Sequence, residues 1–135
     1  MALTLTTHDT RFDEPDAATI AKVLGSLDGG RNVVATLERS ELVYLQAEGS
    51  ADTGFALEYQ DGSLDRRYRS RDRTLPLGQV GTLFQTYARD DAGWRDAVAW
   101  EHAPYTPAPI PWFSTWWAYV AAIFVVAALI WWWRK

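Results

Sequence analysis

The chain has 135 residues, and 17 Asp and Glu against 13 Lys and Arg give it a formal net charge of −4 at pH 7. This acidic balance argues against a general nucleic-acid-binding protein, which needs a basic surface for phosphate groups. Because the chain has no cysteine, disulfides, a thiol nucleophile and a thiolate metal site are excluded.

The first residues predict a strand followed by a helix. Leucine and threonine side chains alternate with period two in residues 3–8, which indicates an opening strand. Apolar residues then recur at helical spacing, and Asp16 stands where its carboxylate can cap a helix. We expect this helix to cover residues 16–27 and to end at the following Gly-Gly pair.

Four further strands are predicted in the middle of the chain. Period-two patterns occupy residues 33–37, 42–47, 55–59 and 64–70. The connections between them are short and polar, and Asp61-Gly62 is a strong hairpin signal, so these strands should pair in antiparallel fashion.

A second helix, with one apolar face, is predicted to begin near residue 74. That face comprises Leu77, Val80, Leu83, Phe84 and Tyr87. A final strand is predicted around Trp100 and His102, and Trp94 and Trp100 are expected to fill the core.

The predicted order is strand, helix, four strands, helix, strand. It indicates an α+β fold with a single largely antiparallel sheet and two helices on one face, in a globular domain of residues 1–103. One C-terminal transmembrane helix is expected to follow this domain.

The C-terminal residues differ in composition from the rest of the chain. Alternating prolines predict a stiff polyproline II stalk over residues 104–111. Residues 112–133 carry no charge and predict the transmembrane helix, because their apolar core would extend about 27 Å at about 1.5 Å per residue. Residues 134–135 form a basic tail. The alternative is a buried C-terminal helix of a soluble domain.

Tryptophans at both ends of this stretch favour the membrane interpretation, because indole rings prefer the headgroup boundary. The predicted membrane-interface residues are Trp112, Trp116, Trp117, Trp131, Trp132, Trp133, Arg134 and Lys135. We therefore expect a tail-anchored, single-pass cell-membrane protein with a cytoplasmic domain. The lipid bilayer would be one partner, and alanines at helical spacing would allow a weak homodimer through the span.

One charged segment stands out within the domain. Residues 65–73 hold five arginines, and strand alternation places Arg67 and Arg69 on one sheet face and Tyr68 on the other. Two interpretations stay open: a solvated face whose arginines pair with acids across the hairpin, or a patch that binds a partner. The candidate partner-binding residues are Arg66, Arg67, Tyr68, Arg69, Arg71 and Arg73.

No arrangement of residues in the sequence indicates catalysis. His8 and His102 are too few for a metal site, the serines lack a nucleophile-elbow context, and no glycine-rich phosphate loop occurs. We therefore expect no catalytic residues, no metal site and no cofactor, and a protein that is not an enzyme.

Diffuse hydrophobic and aromatic matches to a known family extend over about residues 3–102. They lie in residues 20–30, 44–47, 57–59, 68–69, 84–87, 93–95 and 100–101. In these features the chain resembles small α+β immunity proteins of bacterial polymorphic toxin systems. The resemblance implies a protein that blocks a cognate toxin by binding it, without catalytic residues. The C-terminal span departs from the usual soluble pattern of that family.

The expected function is a membrane-tethered, non-enzymatic binding protein. It would be an immunity-type inhibitor that occludes a toxin or another protein partner at the membrane, with no nucleic acid bound. The alternative is a structural membrane adaptor whose span assembles with other membrane helices.

Overall fold

The computed structural model describes residues 2–106, 123–128 and 132–133 of the chain. By its internal contacts the chain divides into two compact units, Met1–Tyr105 and Thr106–Lys135. The strands and helices of the first unit are β1 Thr4–Thr6, β2 Arg11–Asp13, α1 Ala17–Ser26, β3 Val34–Ser40, β4 Val43–Ser50, β5 Gly54–Asp61, β6 Arg67–Ser70, α2 Leu77–Ala88 and β7 Trp100–His102, with a 3₁₀ turn at Ala92–Trp94.

The strands form one seven-stranded sheet in the order β2-β1-β3-β4-β5-β6-β7, and every neighbouring pair is antiparallel. From β3 to β6 the strands are neighbours in sequence as well as in space, because short polar turns join them. The predicted α+β fold with one antiparallel sheet is confirmed.

Both helices lie on the same face of the sheet, since α1 and α2 contact each other and both contact β4. The Asp16 carboxylate accepts a hydrogen bond from the Thr19 backbone N–H at 2.7 Å, so α1 has the predicted N-cap. In α2 the buried residues are Val80, Leu83, Phe84 and Tyr87, which recur at helical spacing. This apolar stripe holds α2 against the sheet.

The core lies between this helical layer and the sheet. Leu5, Leu37 and Leu45 are direct partners in adjacent strands and are completely buried. Fully burying one such side chain contributes about 1.5–3 kcal/mol. Trp94 is buried as well, with its ring edge-on to Tyr59 and Tyr87, which confirms its predicted place in the core.

The strand β2 was not predicted. It has only three residues, which pair with β1 through Thr4↔Asp13, Leu5↔Phe12 and Thr6↔Arg11. So short a segment carries almost no periodic signal, and it becomes a strand only because β1 offers a free edge.

The prediction of a transmembrane helix over residues 112–133 is wrong. Among the residues that the structure describes, no helix is long and apolar enough to cross a membrane. Within the predicted span, residues 123–128 and 132–133 are described as helical. A helix that crosses the hydrocarbon core, which is about 30 Å thick, needs about 20 consecutive apolar residues.

The same finding removes the support for a single-pass location in the cell membrane. The proposed interface residues Trp112, Trp116, Trp117, Trp131, Arg134 and Lys135 lie outside the described residues, as do residues 107–111 of the predicted stalk.

The Ser70 hydroxyl continues the contact between β5 and β6 beyond the end of their hydrogen-bonded ladder. The two strands pair from Glu58↔Arg69 to Gln60↔Arg67. One residue further, the buried Ser70 hydroxyl accepts a hydrogen bond from the Leu57 N–H at 2.9 Å and donates one to the Asp72 carbonyl at 2.7 Å. The hydroxyl therefore replaces a strand partner for Leu57.

Ser70→Ala is expected to lower the free energy of unfolding by about 1–3 kcal/mol, because it leaves a buried N–H without an acceptor. Urea denaturation of the full chain measures the change. Ser40→Ala is the matched control, since Ser40 is exposed, and it should stay within about 0.5 kcal/mol of wild type. Equal stability of the Ser70 variant and wild type would contradict this account of β6.

Candidate functional site

The arginine-rich segment is divided between the two faces of the sheet. Ser70 is 1% exposed, and Tyr68 stacks on Tyr59 with ring centroids 4.9 Å apart, so these two side chains face the helical layer. Arg67 and Arg69 alternate with them and lie on the opposite surface. We call the sheet surface opposite α1 and α2 the open face.

The remaining candidates of this segment are distributed as follows. Arg66 forms an ion pair with Asp61 at 3.0 Å. Arg71 and Arg73 are exposed, and neither forms an ion pair with another described residue. Arg73 lines a depression on the open face together with Arg67 and Arg69. The six candidates therefore do not form one patch, but three of them meet.

A row of polar side chains crosses the open face at one level. Its members are direct partners in successive strands from β1 to β7. The polar row comprises Thr6, Thr36, Gln46, Glu58, Arg69 and Glu101. Antiparallel register brings them together although they are far apart in sequence.

Hydrogen bonds connect much of this row. Thr36 Oγ1 donates to Gln46 Oε1 at 3.3 Å, and Gln46 Nε2 donates to Glu58 Oε2 at 3.4 Å. The other oxygen of Glu58 accepts a charge-assisted hydrogen bond from Arg67 Nε. Glu58 thus has a partner on both sides, which fixes its carboxylate in one orientation.

The two ion pairs of the open face differ in burial. In the first pair the side chains of Arg67 and Glu58 are 33% and 16% exposed. In the second, Arg69 and Glu101 are 50% and 39% exposed and lie 2.5 Å apart. An exposed pair contributes about 0–1 kcal/mol, whereas removing one member of a more buried pair leaves a charge without compensation. The Arg67–Glu58 pair therefore contributes to the stability of the fold, and the Arg69–Glu101 pair is accessible to a ligand.

The depression beside these pairs has a volume of about 160 Å³. Charged side chains dominate its lining, with Glu48 and Glu58 facing Arg67, Arg69 and Arg73. Tyr44 lies on β4 near Arg67, and burial raises the pKa of this phenol, an effect that Arg67 partly opposes. Tyr44 therefore keeps its proton near neutral pH and can donate a hydrogen bond.

This arrangement can bind and orient polar groups. Arginine guanidinium groups offer paired donors to a carboxylate, and the neighbouring glutamates offer acceptors to a cation or an amide. Among the described residues, no group of three His, Asp or Glu side chains could hold a metal ion.

Sequence alternation identified the face of Arg67 and Arg69 but missed much of the open face. Gln46, Glu48 and Glu101 were not singled out, because each is an ordinary polar residue of an alternating strand. The one signal that could have found them is the register, since Gln46 and Glu101 follow once Glu58 is aligned with its neighbours on either side.

Fold and site together define a small α+β domain whose sheet has one face packed under two helices and one polar face with paired charges. Comparisons with protein-family models, with curated proteins and with solved structures give no match. The function is therefore inferred from the geometry of the site.

Arg67→Gln is expected to destabilise the chain by about 1.5–3 kcal/mol, because Glu58 then loses a charge-assisted hydrogen bond in a partly buried setting. Arg69→Gln is the matched control on the same strand, and its exposed pair should cost no more than about 1 kcal/mol. Urea denaturation of both variants measures the difference. A larger loss of stability in Arg69→Gln than in Arg67→Gln would contradict this account. It would show that the Arg69–Glu101 pair stabilises the fold more than the Arg67–Glu58 pair does.

Proposed function

We propose that the chain is a non-enzymatic binding protein of the immunity type, which uses the open face to occlude a toxin or another protein partner. One observation carries the proposal: both helices pack on one side of a seven-stranded sheet, and the other side presents charges that are already held in place. The resemblance of residues 3–102 to immunity proteins gives further support.

The open face is large enough to form a substantial part of a protein interface. Seven strands about 4.8 Å apart span about 30 Å, and the eight-residue strands β4 and β5 extend about 26 Å at about 3.3 Å per residue. A standard interface buries about 800 Å² on each partner. The strands β3, β4, β5 and β6 have 7, 8, 8 and 4 residues and together cover about 430 Å² at these spacings, so the outer strands or the flanking loops must also contribute to an interface of standard size.

An occluding inhibitor needs complementary shape and charge, and it needs no reaction centre. Arg69 is half exposed and Arg73 is exposed, so both can donate hydrogen bonds to carboxylates of a partner. Arg67 and Glu58 hold the surrounding side chains in place before binding, which reduces the conformational entropy lost in the complex. The partner surface should therefore carry carboxylates opposite Arg69 and Arg73.

The double charge reversal Arg69→Glu with Arg73→Glu tests this function. The probe is the product of the adjacent gene, which in an immunity-type system would be the cognate toxin. The dissociation constant should rise at least about tenfold, equivalent to about 1.4 kcal/mol, because two donors become like charges opposite carboxylates. Isothermal titration calorimetry measures the affinity, and growth during toxin expression measures protection.

The matched control is Lys22→Glu with Arg89→Glu, which makes the same charge change at exposed positions of the helical layer. It should bind and protect like wild type. A control variant that loses binding while the open-face variant keeps it would move the interface to the helices. Protection by far fewer chains than toxin molecules would indicate turnover and overturn the non-enzymatic assignment.

A further inference from the structure

A second pocket lies on the helical side of the sheet, away from the open face. It is formed where β3 and β5 end and where α2 gives way to the 3₁₀ turn, and its volume is about 160 Å³. Polar and aromatic side chains line it, among them Arg39, Asp61, Tyr87, Trp94 and Arg95. We call it the Tyr87 pocket.

The Tyr87 hydroxyl is a buried donor without a partner. The residue is 4% exposed, and its Oη forms no hydrogen bond with any of the described residues. A buried polar group in this state is destabilising, and most such groups in folded proteins are paired. Burial raises the pKa of Tyr87 to about 12, an effect that the neighbouring Arg39 guanidinium partly opposes, so the hydroxyl keeps its proton at neutral pH. Arg39 can only donate hydrogen bonds, so the hydroxyl proton still has no acceptor. An acceptor that enters the pocket would therefore complete a hydrogen bond that the fold leaves open.

Two guanidinium groups of the pocket lie over aromatic rings. Arg39 Cζ lies 4.9 Å from the centroid of the Tyr87 ring, and Arg95 Cζ lies 5.1 Å from that of Trp94. Arg39 also donates a hydrogen bond to the Tyr87 carbonyl. Stacking and this bond restrain Arg39, and stacking and the ion pair with Asp61 restrain Arg95, so less conformational entropy is lost when the two groups bind a ligand.

The acids near these arginines leave room for another anion. Asp61 is shared by Arg95 at 3.2 Å and Arg66 at 3.0 Å. Among the described residues, Arg39 forms an ion pair with Asp90 alone, at 3.7 Å, and the Asp90 side chain is 89% exposed. Three arginines thus surround two aspartates, and the ion pair of Arg39 is long and open to water. An incoming carboxylate can replace Asp90 at little cost.

We propose that the Tyr87 pocket binds one carboxylate, carried by an acidic side chain of a protein ligand. The carboxylate accepts hydrogen bonds from Arg39 and from the Tyr87 hydroxyl. Pocket size favours a side chain over a free metabolite, because sites for small-molecule ligands usually measure about 300–1,000 Å³. This second site is independent of the open face.

The test titrates the full chain with the peptide acetyl-Gly-Glu-Gly-amide and follows the side-chain NMR signals of Arg39 Nε and Trp94 Nε1. Both signals should shift with a dissociation constant of about a millimolar, as expected for a single anchored side chain. The peptide with Gln in place of Glu should cause no shift. Acetate that bound more tightly than the Glu peptide would assign the pocket to free carboxylates and overturn the side-chain source.

Tyr87→Phe removes only the hydroxyl and keeps the ring beneath Arg39. It should weaken binding of the Glu peptide about tenfold while the melting temperature stays equal or rises, because an unpaired buried group is lost. Tyr44→Phe on the open face is the matched control and should leave binding unchanged. Unaltered binding by the Tyr87 variant together with a lower melting temperature would show a purely structural hydroxyl and refute the site.

Asp90→Asn provides a gain-of-binding test. It releases Arg39 from its competing anion and should tighten binding of the Glu peptide several-fold. Asp90 has a positive φ of 59°, which asparagine adopts readily, so the fold is retained. Weaker binding by this variant would show that Asp90 belongs to the site instead of competing for it, and would overturn the proposed exchange.

Discussion

The packing of both helices on one side of the sheet is the constraint from which the rest of the structure follows. In a strand, neighbouring side chains point to opposite faces, so burying Leu37 and Leu45 under the helices commits Thr36 and Gln46 to the other side. A slip of one residue would exchange these sets and bury polar groups in place of leucines. The energy of the core therefore fixes the polar face as firmly as it fixes the apolar one.

This constraint also divides the arginines between two environments. Arg66 and Arg67 are adjacent in sequence, yet one pairs with Asp61 near the Tyr87 pocket and the other with Glu58 on the open face. Forming these pairs adds little net stability, because much of their Coulomb energy offsets lost hydration, although removing Arg67 would leave the partly buried Glu58 without compensation. Their main effect is to orient side chains on a surface where orientation determines which partner fits.

The sequence predicted those features that local periodicity determines. Ile20 with Leu24, and Val80 with Leu83, marked the helices, and alternation placed Arg67 and Arg69 on one face. Pairings between distant residues could not be predicted. Arg69 meets Glu101 only because β6 pairs with β7, and Arg39 meets Tyr87 only because α2 packs on the sheet. The prediction of a membrane span was wrong because it rested on composition alone. A long charge-free stretch shows only apolar composition, and among the described residues no helix is long and apolar enough to cross a membrane.

The two sites differ in what binding changes. On the open face Arg69 already holds Glu101, so a partner must exchange one ion pair for another and gains mainly by matching the pattern. In the Tyr87 pocket a ligand also replaces Asp90 on Arg39, but it gives the Tyr87 hydroxyl an acceptor that the free protein lacks. A fold with an unpaired buried hydroxyl is less stable than one in which that group is paired. Losses of stability of this kind are common at functional sites. The open face is thus suited to discrimination between partners, and the pocket to anchoring one acidic side chain.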